Sequence, residues 1–91
     1  MYKIAILLAT YNGEKYISQL LDSIAAQKKV AVSIYAIDDD STDNTRLILE
    51  KSNLNIKIFP SQKNRNSTKN FIYLLKNVPK NFDYYCFCDQ D

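Results

Sequence analysis

A chain of 91 residues with 46% hydrophobic side chains describes one small domain with enough apolar material for a core, and it excludes a disordered polymer. The 12 basic and 10 acidic side chains leave a net charge of +2, too balanced to make nucleic acid the default partner. Histidine is absent, which removes imidazole acid–base chemistry and most zinc sites from these residues.

The first element is KIAILLA, Lys3–Ala9, a nearly continuous apolar run expected of a strand buried on both faces. Its apolar stretch, Ile4 to Ala9, is too short for a signal-peptide core or a membrane span. The chain therefore reads as cytoplasmic, compatible with a longer parent resting at the inner face of a membrane. TYNG is a turn. EKYISQLLDSIAAQ places Ile17, Leu20, Leu21, Ile24 and Ala25 at helical spacing on one face. VAVSIYAI, Val30–Ile37, is β-branched and aromatic, a second strand. A helix through TDNTRLILEKS follows, with Ser41 or Thr42 as cap and Asp43 near the positive helix end.

NIKIF, Asn55–Phe59, gives a third strand stopped by Pro60, and SQKNRN a polar loop. STKNFIYLLKNV carries Phe71, Leu74, Leu75 and Val78 on one helix face and ends at Pro79. DYYCFC, Asp83–Cys88, is a fourth strand, and DQD closes the chain. Cys86 and Cys88 point to one face with poor geometry for bridging each other; they read as small buried hydrophobes of a reducing compartment.

The order β-α-β-α-β-α-β predicts a three-layer, Rossmann-like parallel sheet with right-handed helical crossovers. Ligands of such sheets bind beyond the carboxyl ends of the strands. Thr10-Tyr11-Asn12, Asp38-Asp39-Asp40 and Asp89-Gln90-Asp91 each follow a strand directly, so the three groups should meet on one rim. Asp89 and Asp91 have the spacing to approach one hard cation. Asp38 and Asp39 can accept from a ligand N–H or hydroxyl, whereas Asp40-Ser41 suits the turn ahead of the helix. Tyr11 offers a flat face for a base, with Asn12 and Gly13 letting the chain turn beneath it. Arg65 and Lys63 lie in the polar loop ahead of the third helix.

The run LLATYNGEKYISQLLDSIAAQ, then YAIDDDSTDNT, then FCDQD resembles the N-terminal half of a family-2 glycosyltransferase. The likeness spans essentially all 91 residues, in the right order and on the right elements. TYNGEKYI, QLLDSI and FCDQD are particularly similar to the branch that includes bacterial rhamnosyltransferases of surface-polysaccharide assembly, with galactosyl or glucosyl transfer the alternatives. The resemblance implies the first half of a GT-A fold that binds a nucleotide-diphosphate sugar. It puts Thr10, Tyr11, Asn12, Asp38, Asp39 and Arg65 at the nucleotide and Asp89 and Asp91 on Mg2+ or Mn2+. A carboxylate suits the single imide N–H of uracil or thymine; adenine offers no such ring N–H, while guanine does. The family usually has Gly where Asp40 stands and near Asn66; Asp and Asn are the residues best able to keep left-handed turns there.

The implied enzyme is inverting, with a glycan or lipid-linked acceptor in a longer parent. Its general base has no counterpart in these residues, so the expectation is a truncated donor domain that is inactive alone. Its fourth strand would be left as an apolar edge open to self-association. Other readings fit less well. IDDDST matches the D-x-D-x-T of haloacid-dehalogenase phosphatases, with Asp38 as nucleophile and Asp40 as acid/base, but that motif belongs on a first strand. A dinucleotide fold needs three glycines where only Gly13 exists, and a receiver domain needs acids where Ala9 and Thr10 stand.

Overall fold

The computed structural model describes residues 1–89, so Asp91 of the expected metal pair lies outside the described residues. In chain order the elements are β1 (Tyr2–Thr10), α1 (Glu14–Ala25), β2 (Val30–Asp38), α2 (Thr45–Lys51), β3 (Ile56–Phe59), α3 (Ser67–Asn77) and β4 (Tyr84–Asp89). The strands form one four-stranded parallel sheet in the order β3-β2-β1-β4. The chain crosses the sheet one way through α1 and α2 and returns past β1 through α3. A fixed crossover hand then puts α1 and α2 on one face and α3 on the other.

The core follows this arrangement. Side chains alternate across a strand, so Ile6, Leu8, Ile34 and Ala36 pack with Ile17, Leu21 and Leu49 under α1 and α2. Ala5, Leu7 and Ile37 pack with Leu74 and Val78 under α3. Adjacent Leu7 and Leu8 are both at 0% exposure, the signature of a strand covered on both faces. Around the second cluster, Tyr35 meets Phe82 edge-on with ring centroids 5.9 Å apart and Phe59 at a tilt, 6.3 Å apart.

Register sets the functional rim. Thr10 pairs with Asp38 across β1 and β2, Ala9 with Asp89 across β1 and β4, and Ile37 with Phe59 across β2 and β3. The carboxyl ends of the strands therefore finish level. The sheet changes its direction of winding between β1 and β4, which is where open parallel sheets hold ligands.

Three expectations change. α2 starts at Thr45 rather than beside Ser41 or Thr42, because those residues are taken up by the neighbouring turn described below. Cys86 is exposed and Cys88 half-buried, since β4 is the edge strand and its faces are only partly covered. The left-handed positions of the loop before α3 are Lys63, φ 58°, and Arg65, φ 46°, and not Asn66, which instead is extended and caps α3 by accepting from the Lys69 N–H.

Candidate functional site

The aspartate triplet splits by strand parity. Asp38 points to the α1/α2 side and is buried, with Oδ1 accepting from the Thr10 and Ser41 hydroxyls, each at 2.6 Å. Its Oδ2 accepts from the Ser41 N–H at 3.0 Å. Asp38 thus ties the β1 turn to the β2 turn, and an engaged, buried carboxylate of this kind has no path to attack a phosphoryl group. Asn12 completes the tie, accepting from the Thr42 N–H at 2.7 Å while its own N–H donates to the Ser41 hydroxyl at 2.8 Å. The sharp bend there sits at Asn12, φ 49°; Gly13, at φ −126°, does not use its conformational freedom. Asp43 accepts from the Thr45 N–H and hydroxyl, and this holds its carboxyl below the ordinary 3.8.

Asp39 points the other way, toward α3, and is 3% exposed. Its carboxylate accepts from the Ser61 hydroxyl at 2.9 Å, the Arg65 N–H at 3.0 Å and the Asn70 amide at 2.8 Å. Burial alone would raise its pKa. The bonds from Asn70, Ser61 and the backbone N–H groups of Arg65 and Lys63 outweigh burial and hold it below 3.8. Asp40, left-handed at φ 60°, turns outward to an ion pair with Lys63 Nζ at 3.0 Å. The glycine-like turn persists with Asp in that place.

Between β1, β4 and α3 lies an open cleft of about 160 Å³, lined by Thr10, Tyr11, Asp39, Arg65, Asn70 and Asp89 among others. The Arg65 guanidinium lies 3.8 Å from the centroid of the Tyr11 ring. Asn70 is buried, and its Oδ1 has no hydrogen-bond partner among the described residues. Buried amide oxygens are seldom left so, and a ligand or water that donates a hydrogen bond fits there. Of the residues predicted for the site, Thr10, Tyr11, Asp39, Arg65 and Asp89 reach the cleft, while Asp38 and Asn12 build the turns beneath it.

Sequence reasoning passed over Ser61, although a hydroxyl just beyond the Pro60 strand stop sits at the rim and is the right residue type for a carboxylate partner. It also passed over Ser67, at the cleft-facing start of α3. For a metal, Asp89 supplies one exposed carboxylate at the cleft. Among the described residues no three acidic or thiol side chains cluster tightly enough to form a closed cage. The Asp89 carboxylate is the kind of oxygen ligand Mg2+ or Mn2+ takes, commonly one or two carboxylates with water and phosphate oxygens completing the shell.

Residues 5–91 match the family described as glycosyl transferase family 2, and the chain belongs to that family. It is 49% identical over 90 residues to the dTDP-rhamnosyl transferase RfbG of Shigella flexneri, covering 92% of this chain and 31% of RfbG. The poly(ribitol-phosphate) β-N-acetylglucosaminyltransferase TarS of Staphylococcus aureus is 44% identical over 62 residues, 64% of this chain and 11% of TarS. The crystal structure of S. aureus TarS superposes with a TM-score of 0.81 at 34% identity, covering 98% of this chain and 27% of that one. Its complex with UDP-GlcNAc gives 0.79, at 34% identity, over 98% and 26% of the two chains. The family, the GT-A fold and the likeness to a rhamnosyltransferase expected from the sequence are therefore borne out. The chain spans about a third or less of the length of these relatives.

Proposed function

We propose that these residues form the donor-binding part of an inverting glycosyltransferase that takes a UDP- or dTDP-sugar, with rhamnose the first sugar to try. One observation carries the reading: a buried Asp39 with its carboxyl held below the ordinary range and Asn70, whose Oδ1 has no partner among the described residues, line one cleft with Tyr11 and Asp89. Among the described residues the hydrogen-bond partners of Asp39 are neutral donors, so its charge remains to attract an N–H. In this reading Tyr11 stacks the pyrimidine, Asp39 accepts its imide N–H, and Asn70 Oδ1 accepts a second ligand donor. Asp38, Thr10 and Asn12 hold the two turns so that Tyr11 and Asp39 stay in place.

Asp89 and the neighbouring Asp91 would hold Mg2+ or Mn2+, which when bound supplies Lewis-acid neutralisation of the departing nucleoside diphosphate. Transfer also requires a base opposite the leaving group and an acceptor pocket, and we assign both to regions outside these residues. The acceptor is a surface glycan or its lipid-linked precursor, met by the longer parent at the cytoplasmic membrane face; no helix among the described residues is long and apolar enough to cross a membrane. Titration calorimetry tests the reading. UDP or dTDP with Mn2+ should bind weakly but measurably, ADP should not, and the 91-residue chain should transfer no sugar. Equal affinity for ADP would refute the pyrimidine site, and robust transfer would refute the placement of the base.

A further inference from the structure

The loop between β3 and α3 is strapped onto the aspartate turn. The Ser61 hydroxyl and the Arg65 N–H hold Asp39, and Lys63 Nζ holds Asp40. Lys63 and Arg65 both take left-handed angles, φ 58° and 46°, a region uncommon for long side chains. Fixed this way, Arg65 sends its exposed side chain across the cleft onto Tyr11, with the guanidinium 3.8 Å from the ring centroid. The ring it covers is the surface assigned above to the base.

We propose that Arg65 is a shutter on the base site: it covers Tyr11 until a nucleobase takes that ring, then moves its charge onto the diphosphate. The inference rests on the donor-site reading and adds a role for the loop. A solvated guanidinium holds an aromatic face less strongly than a stacked base does, so the base wins the ring. The displaced guanidinium then meets a rim rich in carboxylates, where Asp39 and Asp89 share its cleft and Asp40 lies one turn away. A diphosphate entering there needs positive charge. Lys63 is already paired with Asp40, whereas the planar fork of Arg65 matches phosphate oxygens and lies a side-chain rotation away.

Uridine and UDP separate the two halves of the idea, because both need the ring and only UDP needs the charge. Calorimetry on the chain with Mn2+ should show Arg65→Ala binding uridine about 2–5-fold more tightly, as the shutter is gone. The same variant should bind UDP about 5-fold more weakly or worse, as the charged contact is lost. Arg65→Lys should match the alanine variant for uridine and stay within about 2-fold of wild type for UDP, since it keeps the charge without the planar stack. Arg65 is exposed, so neither change threatens the fold. If uridine and UDP fail to move in opposite directions in Arg65→Ala, the shutter is overturned while the donor site stands. If the wild-type chain binds neither ligand, both are overturned together.

Discussion

Asp38 and Asp39 are neighbours with the same side chain, yet one is mortar and the other is the acceptor facing the cleft. The difference is the strand pleat, which turns one carboxylate toward Thr10 and Ser41 and the other toward Asn70 and Ser61. Asp38→Asn should therefore lower stability by about 1–3 kcal/mol in urea unfolding, because a buried network loses an acceptor. UDP affinity should change little in that variant. Asp39→Asn should instead weaken UDP binding by about 10–100-fold in calorimetry, the range for losing a hydrogen bond to a charged group. The pH dependence of stability has a definite sign. Asp39 has a folded pKa below its ordinary 3.8, so its contribution is fully present above the unfolded value and is lost as pH falls through the folded one. Acid unfolding followed by circular dichroism should show that this loss begins below about pH 4, and Asp39→Asn should flatten it.

At the scale of elements, β1 is the strand on which the others depend. It pairs with both β2 and β4 and contributes Leu7 and Leu8 to opposite cores. Leu8→Ala should cost about 2–5 kcal/mol in denaturant unfolding, the range for a buried leucine whose space cannot collapse. The strand positions were legible in the sequence to within a residue or two because continuous β-branched and aliphatic runs leave little alternative. The start of α2 was not legible. Ser41, Thr42 and Asp43 all read as good caps, yet α2 is entered through Asn44, because Asn12 claims the Thr42 and Asp43 N–H groups from 30 and 31 residues away. A local pattern does not contain that competitor.

At the scale of the whole molecule, β3 and β4 are the two edges of the described sheet, and β4 is the more apolar in its exposed side chains. In this chain the outer side of β4 pairs with no described strand, and Tyr84 and Phe87 are 53% and 54% exposed along it. Phe87 stacks on Phe71 at 4.9 Å, which extends the apolar surface toward α3. An apolar edge with open backbone groups is a template for another strand. Light scattering of the 91-residue chain should show mass rising with concentration, and Phe87→Lys should suppress that rise. A monomer at every concentration would refute self-association through this edge.

The sequence alone determined the alternation of elements, the parallel sheet, the family and the placing of Thr10, Tyr11, Asp39 and Asp89 at one rim. Each of these follows from periodicity or from motifs written in one continuous stretch. What only the tertiary structure decided was the division of labour on that rim. It set Asp38 and Asn12 as ties, placed Asp39 with Ser61 and Asn70, and laid Arg65 across Tyr11. Those roles depend on which way a pleat faces at the end of a strand and on which donor arrives from a distant loop. Both are properties of packing, and neighbouring aspartates in a line of sequence do not reveal them.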